Sequence, residues 1–165
     1  MNIADFKSRL GQGGARPNQF RVLLAFPTLA AAGLKSDYSV LVSGAAIPAS
    51  TVNPAIVQYR GREVKLAGER IFDPWTITII NDTNQSLRGP FDKVDNGAEA
   101  LTPSEYQVDL TVEHLDRNDD PLPLGTYLLH DAFPINMSEI ALQYAQNDVI
   151  EEFTVTFQYQ HYSNT

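Results

Sequence analysis

The chain has 165 residues, room for a single domain with a full-sized core, and 43% of them are hydrophobic at a mean hydropathy of −0.22, which excludes a disordered composition. Twenty acidic against 12 basic residues leave a net charge of −8, the wrong sign for tight nucleic-acid binding, in which clustered Lys and Arg neutralise phosphates. With no cysteine, disulfides, thiolate-ligated zinc and thiol nucleophiles drop out together.

Met1 to Lys7 lacks the basic start and apolar run of a signal peptide, and no stretch approaches the ~20 apolar residues of a membrane-spanning helix. The expectation is a protein without membrane insertion of its own. Ile3, Phe6 and Leu10 share one side of a short amphipathic helix, and Gly11-Gln12-Gly13-Gly14 ends it as a flexible joint. That glycine run follows no strand and matches no phosphate-binding pattern. The expected organisation is one domain over residues 1–165, with 1–14 a flexible segment.

After Pro17 the pattern turns to strands: Phe20 to Phe26, then Tyr38 to Val42. Ile56 to Arg60 and Arg62 to Leu66 flank Gly61 as the arms of a hairpin. Trp75-Thr76-Ile77-Thr78-Ile79-Ile80 alternates with period two, the mark of a half-buried strand. Asn81 or Asp82 is placed to cap a helix running through Asp95, with Leu87, Phe91 and Val94 at helical spacing and Pro90 in its middle. Strands follow at Tyr106 to His114, Gly125 to Leu129 and Ile150 to Tyr162; the last puts Phe153, Val155, Phe157 and Tyr159 on one face. The sum is mainly β: an antiparallel sandwich or barrel with one flanking helix.

Nothing marks a catalytic centre. His114, His130 and His161 have no partner at metal-ligand spacing and read as satisfied strand histidines. Asp116-Arg117-Asn118-Asp119-Asp120 opens like a calcium loop, but Pro121 stands where glycine is needed and Tyr127 where a bidentate glutamate is needed. A polar connection between strands is the better reading. No serine sits in a nucleophile elbow. No enzyme and no cofactor are expected.

Three stretches carry a resemblance. Ala15-Arg16-Pro17-Asn18-Gln19-Phe20 enters the first strand; Ala67 to Asp82 reads AGERIFDPWTITIIND; and Phe133-Pro134 precedes the closing Phe153-Thr154-Val155-Thr156-Phe157, with Asn147-Asp148 in the turn between. Together they resemble the tail tube proteins of contractile-tailed, T-even-like phages. The resemblance implies hexameric rings whose inner sheets join into one large barrel, stacked inside a contractile sheath between baseplate and tail terminator. It also implies a virion tail component, assembled in the host cytoplasm, through which DNA passes without being held. Related tubes of tailocins, extracellular injection systems and type VI secretion systems are the alternative, and a monomeric ligand-binding β-sandwich is a second. In the AGERIFDPW motif, Arg70, Asp73 and Trp75 are expected as a charge pair with an aromatic anchor.

Two surfaces then stand out. The hairpin region mixes Ile56, Val57, Tyr59, Val64 and Leu66 with Arg60, Arg62, Glu63 and Lys65, and is the candidate contact between subunits or rings. The candidate lumen faces are the polar sides of two alternating strands, Gln107, Asp109, Thr111 and Glu113 on one and Glu152, Thr154, Thr156, Gln158 and Gln160 on the other. One of the two sets is expected to face inward.

Overall fold

A computed structural model describes residues 2–10, 14–26, 38–97, 102–116, 123–145 and 148–165. Nine strands and three helices follow in order: α1 (Ile3–Arg9), β1 (Phe20–Leu23), β2 (Val42–Ala45), β3 (Ser50–Tyr59), β4 (Arg62–Phe72), β5 (Trp75–Ile80), α2 (Arg88–Gly97), α3 (Pro103–Tyr106), β6 (Val108–Leu115), β7 (Pro123–Met137), β8 (Glu152–Gln158) and β9 (His161–Asn164). All strand pairings are antiparallel.

The long strand β7 organises the body. Its first half pairs with β6 on one edge and β9 on the other, and its second half pairs with β8. Asp131, at φ 53°, lies where the ladder to β6 shifts register, and such an irregularity turns the strand from one layer into the other. The run β8–β9 turns at the same level, where Gln160 N donates to the His130 carbonyl at 3.0 Å. The result is a first layer, β1-β6-β7-β9, and a second layer, β7-β8-β5-β2, continuous through β7.

The alternating strands then bury one face each. Val22, Leu110, Val112 and Leu129 of the first layer form a single core with Val42, Trp75, Ile77, Ile79, Phe153, Val155 and Phe157 of the second. Register explains the match: Trp75 faces Phe157, Ile77 faces Val155 and Ile79 faces Phe153 across the β5–β8 ladder. Leu87, just before α2, and Phe91 within it join this core, with Phe91 4.9 Å from Phe26 and 5.8 Å from Phe157 between ring centres, and Val94 of the same helix is also buried. Burial of each large side chain contributes about 1.5–3 kcal/mol.

The mainly β architecture with few helices agrees with the sequence reading, and several boundaries move. The helix expected to be capped by Asn81 or Asp82 starts at Arg88, which places Pro90 in the first turn, where its missing N–H is not needed. Asp82 instead closes a turn, accepting from Ser86 N at 2.7 Å and from Ser86 Oγ at 2.6 Å. Those two bonds, side chain first, hold its carboxyl below the usual aspartate range. Tyr38–Leu41 is a 3-10 turn, so the second strand begins only at Val42. The short helix α3 was not anticipated; Pro103 at its start and the Glu105 carboxylate on Thr102 N, at 2.8 Å, are its cause. The Gly11–Gly13 joint and residues 117–122 of the calcium-like run lie outside the described residues.

Candidate assembly surfaces

The hairpin is longer than its sequence signal. β3 and β4 pair from Ser50↔Phe72 out to Tyr59↔Arg62, and every residue of the arm from Thr51 to Ile71 is exposed. Arg60 (φ 48°) and Gly61 (φ 77°) form the two-residue turn, whose paired positive φ values match the twist of the strands. Near the base, the register shifts between Val52 and Pro54 opposite Gly68, where the backbones close in so far that a Cβ on residue 68 would collide with the Asn53 carbonyl oxygen. This is the physical demand behind the glycine of the AGERIFDPW motif.

Cross-strand register sorts the arm into two faces. Ala55, Val57 and Tyr59 oppose Leu66, Val64 and Arg62, a mostly apolar face. Ile56 and Gln58 oppose Lys65 and Glu63, a polar face on which Gln58 Nε2 donates to Glu63 Oε1 at 3.1 Å. Tyr59 is 61% exposed and Leu66 54%. A two-stranded ribbon with no core of its own is marginal in water.

The arm is clamped at its base rather than along its length. Trp75 Nε1 donates to the Ala46 carbonyl at 2.6 Å, Asp73 N to the Ala49 carbonyl at 3.2 Å, and Tyr159 Oη to the same Ala49 oxygen at 3.3 Å. Phe72, Tyr159 and Tyr162 pack ring against ring beneath it. Burial, with smaller contributions from Tyr162 and Asp73, raises the Tyr159 phenol above its ordinary pKa. Trp75 is thus an anchor as expected, but the Arg70–Asp73 charge pair is not formed: the Arg70 guanidinium lies over the Phe72 ring, 5.8 Å from its centre.

The two polar strand faces fall on different layers. Because both layers bury their other faces in one core, these faces point away from each other and cannot line the same channel. On the first layer Glu113 is neutralised by Arg21 at 2.6 Å, while Asp109 accepts from Asp131 N at 3.1 Å and lies 3.8 Å from His130 Nδ1. His130 and His161 stack at 4.4 Å across the β7–β9 ladder, His130 Nε2 meets Ser163 Oγ at 3.0 Å, and His114 Nε2 meets the Arg16 carbonyl at 3.0 Å. All three histidines therefore have partners inside the fold. On the second layer the outer face carries Thr76, Thr78, Thr154, Thr156 and Gln158, with Asn136 opposite Thr156 and Glu152 at the end of the strand. Thr76 and Thr156 share a hydroxyl hydrogen bond at 3.0 Å.

A third surface escaped the sequence reading. The connection from β7 to β8 exposes Leu142, Tyr144, Val149 and Ile150 at 66% or more, around a cleft of about 420 Å³ lined by Ala141, Leu142, Gln143, Tyr144, Val149 and Glu151. Four large apolar residues without strand or helix period were the available signal. Among the described residues no group of three or more His, Asp or Glu converges on a metal site, and no helix is long and apolar enough to cross a membrane.

Comparison with known proteins places this architecture. The family described as phage tail tube protein matches residues 15–165. The tail tube protein of Serratia phage KSP90 is 29% identical over 170 residues, covering 95% of this chain and 93% of the relative. Tail tube protein gp19 of Enterobacteria phage T4 is 28% identical over 151 residues, 86% of each chain. In fold, the chain is similar to a component of the anti-feeding prophage baseplate (TM-score 0.70, 17% identity, 92% and 95% of the two chains). It is also similar to a component of the sheath–tube complex of the PVC extracellular contractile injection system (TM-score 0.68, 12% identity, 96% of each chain). The chain belongs to the phage tail tube protein family.

Proposed function

We propose that six copies of this chain close a ring, that rings stack into the inner tube of a contractile phage tail, and that the tube conducts DNA into the host. The observation that carries the reading is the exposed hairpin: among the described residues nothing covers its apolar face, and a ribbon of this kind is marginal in water until it acquires a partner. The role is structural rather than enzymatic, its place the virion tail. The sheath outside, the baseplate below and a terminator above are its partners.

The second layer is the lumen wall in this reading, and Asp109 and Glu113 of the first layer face the sheath. Its outer face is built of hydroxyls and amides, which offer phosphates no cation to hold. Among the described residues β2 and the second half of β7 each keep one unpaired edge, and pairing them between copies closes the layer into a barrel. The N-terminal segment orders on assembly, since Ile3 and Phe6 of α1 and Leu10 at its C-cap are all exposed. Negative-stain microscopy of the purified protein, with its mass in solution, tests the proposal. Rings and tubes are expected; a monomer at every concentration overturns it in favour of a monomeric ligand-binding sandwich.

A further inference from the structure

The outer face of the first layer pairs its charges on one side and leaves them unbalanced on the other. Next to β1, Glu113 is held by Arg21 at 2.6 Å. Further along, the β7–β9 ladder sets His130 directly opposite His161, and the two imidazoles stack with ring centres 4.4 Å apart and planes 16° from parallel. From β6, Asp109 approaches His130 Nδ1 at 3.8 Å, while among the described residues no carboxylate forms an ion pair with His161. Asp131, the next residue of β7, is exposed at the corner and gives its N–H to the same Asp109. Two groups able to become cations thus share one carboxylate.

Imidazole is the side chain that takes up charge in mildly acidic solution. A proton on His130 is well accommodated: the cation donates from Nε2 to Ser163 Oγ, 3.0 Å away, and points Nδ1 toward Asp109. A second proton, on His161, is placed against that cation. Two like charges 4.4 Å apart at water-like screening disfavour the stacked pair about fivefold. Lifting β9 away from β7 removes the repulsion, so the open strand binds the second proton more readily than the closed one, and falling pH favours opening. The first proton acts in the opposite sense, because Asp109 attracts it.

What β9 holds gives the pair its consequence. The strand is four residues long and, among the described residues, pairs with β7 alone. Tyr162, next to His161, lies on the inner side: its ring meets Phe72 at 5.6 Å and Tyr127 at 6.2 Å, and its hydroxyl lies 3.4 Å from Ser50 Oγ. Ser50 and Phe72 are the cross-strand pair at which the hairpin begins. We propose that β9 is a proton-operated latch beneath the root of the hairpin, closed while at most one of His130 and His161 is charged and released when both are. Release withdraws Tyr162 from Ser50 and Phe72 and loosens the root, while the core between the layers stays in place. The latch is a property of the single subunit and does not rest on the tube reading.

Hydrogen exchange of the unassembled full chain tests this, compared at about pH 7.5 and about pH 5 and expressed as protection factors so that the intrinsic pH dependence cancels. Two amides report on the latch: Thr165 N, which donates to the Thr126 carbonyl at 3.0 Å, and Gln160 N, which donates to the His130 carbonyl at 3.0 Å. Both should lose about fivefold in protection at the acidic pH, the scale of one like-charge pair. Asp73 N, bonded to the Ala49 carbonyl at the root of the arm, should fall with them, and the amides of the β5–β8 ladder should hold. His161→Gln and His130→Gln should each abolish the loss, and Asp109→Asn should enlarge it. His161 is exposed, so its substitution decides the matter even if His130→Gln fails to fold. Protection that does not change with pH, or a loss that persists in His161→Gln, would overturn the latch. A loss at Thr165 and Gln160 with Asp73 unmoved would overturn its coupling to the hairpin root.

Discussion

Trp75 ties the core to the arm, and the strength of that tie can be worked from its contacts. The indole is 2% exposed, stacks on Phe157 at 5.7 Å between ring centres, and donates to the Ala46 carbonyl at 2.6 Å. Trp75→Phe removes the hydrogen bond, about 1 kcal/mol net, and leaves a partial cavity worth about 1–2 kcal/mol more. Ala46 is itself exposed and the bond only partly buried, so the full cost of a buried orphan acceptor does not apply. The sum is about 2–3 kcal/mol, a fall in Tm of about 5–10 °C for a domain of this size. Tyr159→Phe is the control: its bond to the Ala49 carbonyl is longer, 3.3 Å, and the ring stays, so about 0.5–1 kcal/mol is expected. Both should be measured by thermal and urea unfolding of the unassembled subunit, because association would shift the apparent midpoint. If Trp75→Phe costs no more than Tyr159→Phe, the indole is not the anchor of the hairpin base.

Gly68→Ala should disrupt the close backbone approach to Asn53 at a local cost of about 1–3 kcal/mol, yet leave the melting of the body almost unchanged, because the arm contributes nothing to the core. Tube yield should fall; unaltered assembly would show that the bulge is dispensable. The Asp82 carboxyl, held below its ordinary pKa by Ser86, stabilises the fold above the unfolded aspartate pKa, and that contribution disappears as pH falls through the folded value. Ser86→Ala should therefore raise the Asp82 pKa in an NMR titration and reduce the loss of stability on acidification; an unmoved titration would refute the assignment. Thr154→Lys with Thr156→Lys places cations on the second layer's outer face, and DNA ejection should slow most at low salt, because the affinity for phosphates falls as salt rises. Ejection unaffected at every ionic strength would move the lumen to another face. Hydrogen exchange should find residues 3–9 unprotected in monomers and protected in tubes; equal protection would refute ordering on assembly.

Local pattern determined a good deal here. Period-two alternation located β5 residue for residue and indicated which sides of β6 and β8 go inward, because burying one face of a pleated strand is a local rule repeated at every second position. Gly61 announced the hairpin turn for a similar reason: a positive φ is a property of one residue. The helix start was misplaced by five or six residues, since Asp82 serves an isolated turn as well as it would cap a helix, and only Ser86 and the burial of Leu87 distinguish the two. The sequence also presented two polar strand faces as equivalents. Their assignment to opposite layers depends on β7 crossing from one layer to the other at Asp131, a pairing between residues far apart in the chain. The exposed hairpin is the same kind of case. Val57, Tyr59, Val64 and Leu66 look like core residues by composition, and what leaves them uncovered is that the clamp on Ala46 and Ala49 launches the arm away from the body. Composition says how much apolar surface a chain possesses; which part of it remains for a partner is decided by long-range pairing, because only the assembled layers determine where the core ends.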